Sequence, residues 1–156
     1  MNILHVDTNH PLLVEQLDAL GHYNDIDVLS SKSEIIEKIP HYDGLVIRSR
    51  FIIDRAFLEK AINLKFIARL GAGLENIDLA YAHQRGIHLI TAPEGNRNAV
   101  GEHTLALILA LFNKLDQANQ NIRKGFWLRE ANRGVELDGK TIGIIGYGHM
   151  GKALSL

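Results

Sequence analysis

Residues 44–73 read GLVIRSRFIIDRAFLEKAINLKFIARLGAG. A short apolar run, Gly44 to Ile47, leads into Arg48-Ser49-Arg50. An amphipathic stretch follows, with Phe57, Leu58, Ala61 and Ile62 on one helical face and Asp54 placed to cap it. A second apolar run, Lys65 to Leu70, is closed by Gly71-Ala72-Gly73. Strand, helix and strand within about 30 residues make a βαβ unit, whose strands run parallel.

The pattern repeats outward on both sides. Asn2 to Val6 reads as a strand, and Pro11 to Leu20 as a helix with Leu13, Leu17 and Leu20 on one face, stopped by Gly21. Asp25 to Leu29 reads as a second strand. Ser31-Lys32-Ser33-Glu34 fits a capping box, after which Ile35, Ile36 and Ile39 line a helix ended by Pro40. Beyond the glycines, Ile77, Ala80 and Tyr81 mark a helix that stops at Gly86, and Ile87 to Thr91 is a fifth strand. The expectation is an α/β fold: a doubly wound, flavodoxin-like parallel sheet over residues 1–95 with helices on both faces. Ligands of such folds sit beyond the carboxyl ends of the strands. The segments to inspect are Asp7-Thr8, Arg48-Ser49-Arg50, Gly71-Ala72-Gly73 and Ala92 to Arg97.

The pattern then changes. Asn98 to about Ala118 reads as one long helix, apolar nearly all round in its first part and so expected to be buried between layers or subunits. Asn119 to Gly139 has no clear period. Lys140 to Ile145 reads as a strand, followed by Gly146-Tyr147-Gly148-His149-Met150-Gly151. G-x-G-x-x-G between a strand and a helix is the context of a dinucleotide fingerprint. Gly146 permits the tight turn, Gly148 lets a diphosphate approach the backbone, and Gly151 lets helix and strand pack closely. The same glycines would also serve a βα turn that holds no ligand.

Composition narrows the function classes. The 156 residues carry 17 basic and 18 acidic side chains, a balance that offers no electrostatic footprint for nucleic acid or an anionic membrane. With no cysteine, there is neither a disulfide framework nor a thiolate nucleophile. The eight histidines are scattered without metal-site spacing, so no metal is expected. No signal peptide or membrane span is visible, and a cytoplasmic location is expected.

Five segments occur together and in order: Arg48-Ser49, Leu70 to Asp78 (LGAGLENID), Ala92 to Asn96 (APEGN), Ala99 to His103 (AVGEH) and Gly143 to Gly151 (GIIGYGHMG). In this combination the chain resembles the D-isomer-specific 2-hydroxyacid dehydrogenases, most of all their phosphoglycerate dehydrogenase branch. The resemblance implies a substrate domain, residues 1–95, and the start of an NAD-binding Rossmann-type domain, residues 96–156, with its first helix and first βα turn. It implies NAD, with NADP an alternative, and a 2-hydroxy or 2-oxo acid, phosphorylated or not, as substrate. Serine biosynthesis is the implied setting. Arg48, Ser49, Ala72, Gly73 and Asn96 match substrate-side positions. Val100 and Thr104 match positions at the nicotinamide end, and Gly146, Gly148, His149, Met150 and Gly151 match the cofactor loop. It implies a homodimer through residues 98–136. The family's catalytic arginine, glutamate and histidine match positions beyond Leu156, so this chain by itself is expected to be inactive.

Each of these residues also has a plainer reading. Arg48 and Arg50 could be solvated surface arginines, Gly73 a glycine needed for positive φ, and Asn96 an N-cap. Val100 could be core packing, and Thr104 could bond back one turn. Two other readings of the whole chain stand beside the dehydrogenase: an inert fragment, or a receiver-like binding module with Asp7 in its pocket. A receiver, however, needs an aspartate at the end of the third strand, where Arg48-Ser49 stands.

Overall fold

The computed structural model of the chain describes every residue from Met1 to Leu156, in two compact units, Met1–Pro93 and Glu94–Leu156. The first unit holds strands β1 (Asn2–His5), β2 (Tyr23–Ile26), β3 (Gly44–Ile47), β4 (Phe66–Arg69) and β5 (His88–Thr91). They form one parallel sheet in the order β2-β1-β3-β4-β5. Between them run helices α1 (Pro11–Ala19), α2 (Lys32–Lys38), α3 (Arg55–Lys60) and α4 (Leu79–Gln84). This is the doubly wound α/β layer expected from the repeats.

Side chains alternate across the sheet. Leu4, Val6, Leu45, Ile47 and Ile67 face one way and pack with Ile35, Phe57, Leu58 and Ala82 from α2, α3 and α4. The central strand β3 is buried along its whole length, whereas β5 pairs with β4 alone and is a half-exposed edge. Gly44 pairs with Phe66, and a Cβ on Gly44 would lie 2.1 Å from the Phe66 ring, so the bare glycine lets that ring lie across β3. His5 is fully buried and satisfied: Asn9 Nδ2 donates to its Nδ1, and its Nε2–H donates to Asn24 Oδ1, both at 2.8 Å.

The helix starts follow their capping residues. Ser31 and Glu34 form the reciprocal box, Asp54 accepts from the Phe57 N–H at 2.9 Å, and Asp78 accepts from the Tyr81 N–H at 3.0 Å. Three elements have boundaries that differ from expectation. β2 is Tyr23–Ile26 rather than Asp25 to Leu29, because pairing with β1 selects the polar residues and leaves Leu29 91% exposed in a bend. Leu20 and Ile62 fall just past their helices and are exposed.

The second unit contains α5 (Arg97–Phe112), α6 (Leu115–Arg123) and α7 (His149–Leu154). The single long helix expected from Asn98 to Ala118 breaks at Lys114, which adopts a left-handed backbone with φ 51°. The following segment folds back on the break: Val135 N–H donates to Phe112 O at 2.9 Å, and Lys114 Nζ to Ala131 O at 3.0 Å. Only Gly101 of α5 is buried, while Leu105, Leu107, Leu109 and Leu111 are exposed, so the expected burial of this helix is not met within the chain. Lys140 to Ile145 forms no strand. Its apolar alternation has no neighbouring strand to supply ladder bonds, and a lone extended segment has none of its own.

Candidate functional site

In a 2-1-3-4-5 sheet the strand order reverses between β1 and β3, and the crevice beyond that point is where such folds receive ligands. Here the crevice holds a carboxylate of the chain itself. Asp7 Oδ2 accepts from three successive N–H groups, those of Arg48 at 2.7 Å, Ser49 at 3.1 Å and Arg50 at 3.3 Å. Successive amides converging on one oxygen form an anion nest.

The two arginines of this loop have different fates. The Arg50 guanidinium turns inward, Nη1 donating to Val6 O at 2.8 Å and Asp27 O at 2.9 Å, and Nη2 to Ser30 O. Arg50 is therefore neither a solvated surface arginine nor free to face a ligand beside Arg48: its donors are committed to three backbone carbonyls. Arg48 and Ser49 are exposed, and neither side chain bonds within the chain. The Arg48 carbonyl accepts from Arg69 Nε at 3.2 Å and Asn76 Nδ2 at 3.4 Å, which ties this loop to the one after β4.

That second loop carries Ala72 and Gly73. Neither Gly71 nor Gly73 has positive φ, so turn conformation does not explain them. Space does. A Cβ on Gly71 would meet Arg69 Nη1 at 2.8 Å, and one on Gly73 would meet Glu75 Oε2 at 2.0 Å. The Glu75 carboxylate, paired with Arg69 Nη2 at 3.0 Å and largely exposed, thus rests against the bare backbone of Gly73. The N–H groups of Ala72, Gly73 and Leu74 donate to nothing in the chain. Unbonded amides on one strand end and a free guanidinium on the next are the donor set for a carboxylate or phosphate. Sequence reasoning missed Arg69 and Asn76, since only the parallel register of β3 and β4 brings them under Arg48.

The second unit carries the glycine turn. Gly146 has φ +91°, a conformation open to glycine. Nothing lies within 4 Å of a Cβ on Gly148, which leaves the backbone approachable. A Cβ on Gly151 would lie 2.4 Å from Gly146 O and 3.3 Å from Ile144 Cγ2, so close packing requires its absence. Gly148 is the N-cap residue of α7, Met150 is half-buried, and His149 Nδ1 stands 3.7 Å from Glu94 Oε1 with both side chains exposed. Asn96 precedes α5 but makes no side-chain cap, leaving its amide free. Val100 is exposed rather than core, and Thr104 Oγ1 bonds back to Val100 O at 2.7 Å. The residues of this turn fit a dinucleotide diphosphate in both backbone shape and clearance. The structure holds no cluster of three or more metal-ligating side chains, and no helix is long and apolar enough to cross a membrane.

Known proteins show the same organisation. The family described as D-isomer specific 2-hydroxyacid dehydrogenase, catalytic domain, matches residues 3–146. D-3-phosphoglycerate dehydrogenase of Archaeoglobus fulgidus is 43% identical over 144 residues, 90% of this chain and 27% of that protein. Hydroxypyruvate reductase of Thermotoga maritima is 35% identical over 153 residues, 96% of this chain and 50% of that protein. The crystal structure of NAD+-bound 3-phosphoglycerate dehydrogenase of Entamoeba histolytica aligns with a TM-score of 0.78 at 30% identity, covering 99% of this chain and 49% of that one. The chain therefore spans 27% to 50% of the length of these three relatives. Because the family match runs through nearly all of the sequence and the sheet has the matching parallel architecture, the chain belongs to the D-isomer specific 2-hydroxyacid dehydrogenase family.

Proposed function

We propose that this chain supplies the substrate-binding wall and the first cofactor-binding turn of an NAD-dependent D-2-hydroxyacid dehydrogenase, with 3-phosphoglycerate as substrate. The carrying observation is the pairing of unbonded amides at Ala72, Gly73 and Leu74 with the free Arg48 side chain on the neighbouring strand end. In this reading the amides hold the substrate carboxylate, and Arg48 and Ser49 hold the distal phosphate. Charge-assisted bonds to an anion are about twice as strong as neutral ones, so these contacts dominate orientation. Asn96, whose side chain makes no cap, is a further substrate-side residue by the resemblance. Val100 and Thr104 form the surface for the nicotinamide ring. Gly146, Gly148, His149, Met150 and Gly151 wrap the diphosphate. When bound, NAD accepts the hydride that leaves C2 of the hydroxy acid.

The chain is proposed to bind without turning over, because none of its residues matches the family's catalytic arginine, glutamate and histidine. The exposed leucines of α5, together with Phe126 and Trp127, support a homodimer through residues 98–136. The identity with two curated relatives, one named for phosphoglycerate and one for hydroxypyruvate, supports a small 2-hydroxy or 2-oxo acid. A cytoplasmic setting in serine biosynthesis is part of the proposal, as the resemblance implies it. The receiver-like reading is less well supported, since Asp7 is already bonded by three amides.

Calorimetric titration of the purified chain tests the reading. 3-Phosphoglycerate is expected to bind, and Arg48→Ala to weaken it by about tenfold, about 1.4 kcal/mol. NAD is expected to bind at the glycine turn, with NADP as the alternative that the same titration compares. NADH production from 3-phosphoglycerate and NAD by the chain alone would overturn the non-catalytic assignment, and absence of 3-phosphoglycerate binding would overturn the substrate assignment.

A further inference from the structure

The loop that presents Arg48 and Ser49 is held from three directions. Below it, Asp7 Oδ2 collects the N–H groups of Arg48, Ser49 and Arg50. Behind it, the Arg50 side chain donates to carbonyls of Val6, Asp27 and Ser30. Beside it, Arg69 and Asn76 donate to the Arg48 carbonyl. Of these, only the Asp7 contact engages the N–H groups of both presenting residues, and it does so with a carboxylate. Three amides turned toward one oxygen cannot at the same time turn toward a ligand. With their N–H groups so engaged, Arg48 and Ser49 have only their side chains free to donate to a ligand.

We infer that Asp7 is a positioning residue for anion recognition: its carboxylate fills the amide nest at the β1–β3 crevice and so fixes the Arg48 and Ser49 side chains in the direction of the substrate. The inference rests on the reading of Arg48 as a substrate ligand. Its physical basis is preorganisation. Without the carboxylate, the three N–H groups are orphan donors that water or a stray anion must satisfy, and the loop relaxes to whichever geometry that partner prefers. The substrate anion also competes for the nest, so part of its binding goes to an orientation in which Arg48 is misaligned. Displacing a bidentate donor by even one ångström is costly where alignment sets the interaction.

The inference differs from a general stabilising role in what it couples. A structural aspartate affects every site equally. A positioning aspartate acts through Arg48, so its effect disappears when the Arg48 side chain is absent.

The test is a double-mutant cycle on the full chain, with 3-phosphoglycerate as probe and calorimetry as readout. Asp7→Ala is expected to weaken binding about tenfold in the parent chain and by less than about twofold in an Arg48→Ala background, a coupling of roughly 1 kcal/mol. Asp7→Asn keeps an acceptor oxygen without the charge and is expected to fall between the parent and Asp7→Ala. It also serves if the alanine variant folds poorly. Amide exchange, read by NMR in the absence of ligand, is expected to quicken at residues 48–50 in Asp7→Ala and to stay unchanged in α4 and β5. Equal losses in both backgrounds would overturn the inference and leave the Arg48 reading intact. So would unchanged binding by both Asp7 variants. Arg48→Ala without effect on binding, or no binding by the parent chain, would remove the substrate reading and the inference with it.

Discussion

Gly151 stands so close to Gly146 that a methyl carbon on it would lie 2.4 Å from the Gly146 carbonyl oxygen. The contact is backbone against backbone, so no side-chain rotation relieves it. Gly151→Ala is expected to destabilise the second unit by about 1–3 kcal/mol, the usual cost of overpacking, read by urea denaturation with NMR signals of residues 94–156. Gly148→Ala meets no atom within 4 Å and has negative φ, so its stability change is expected to stay below about 1 kcal/mol while NAD binding weakens. If both variants melt like the parent, the close approach is not what holds α7 in place.

Arg48 and Arg50, two residues apart, should respond oppositely to truncation. Arg50→Ala leaves the carbonyls of Val6, Asp27 and Ser30 without their donors and is expected to cost about 2–3 kcal/mol. Arg48→Ala removes an exposed side chain without partners and should shift stability by no more than about 0.5 kcal/mol. Denaturant midpoints of the two variants decide the matter, and a reversed order would show that the Arg50 bonds do not hold this loop in place.

A polar cluster beside β2 contributes to the pH dependence of the first unit. Lys38 Nζ lies 2.6 Å from Asp27 and 3.2 Å from Asp25, whose carboxylate also accepts from the Tyr42 hydroxyl. The Lys38 ammonium, with the Ser30 N–H, holds the Asp27 carboxyl well below the usual carboxylate range. That contribution is present above the ordinary value of 3.8 and is lost as pH falls below it. Burial, then the Asp25 hydrogen bond, pushes the Tyr42 phenol up to about 12. A phenol kept neutral in the fold stabilises fully below its ordinary 10.0 and stops doing so as pH rises through about 12. Thermal melting is therefore expected to decline between those values, and Tyr42→Phe to flatten the decline. A parallel decline in Tyr42→Phe would assign the alkaline limb to other groups.

The exposed leucines of α5 predict concentration-dependent association. Sedimentation velocity is expected to show a dimer whose population falls when Leu107 or Leu111 is changed to a charged residue, with the helix content unchanged. A parent chain monomeric at all concentrations would contradict the proposed pairing through residues 98–136.

Much of the fold was readable from residues 1–93, because strands buried on both faces, such as Gly44–Ile47, write themselves as apolar runs between caps and glycines. The edge strand Tyr23–Ile26 was not, since half its surroundings are solvent and its composition is polar. The apolar Val28 and Leu29 pull the expected strand toward residues that lie in a bend. The break at Lys114 carries no glycine or proline and comes from contacts with residues 131 and 135, far along the chain. At the candidate site, Gly73 and Arg48 were legible as residue types at strand ends. That Asp7 fills the nest and that Arg50 turns inward depended on distances no spacing encodes.

β5 presents one flank to water with its ladder groups unclaimed, and Ile90 half bare upon it. A rim of this kind is sticky for extended polypeptide of any origin, including a neighbouring molecule still emerging from synthesis.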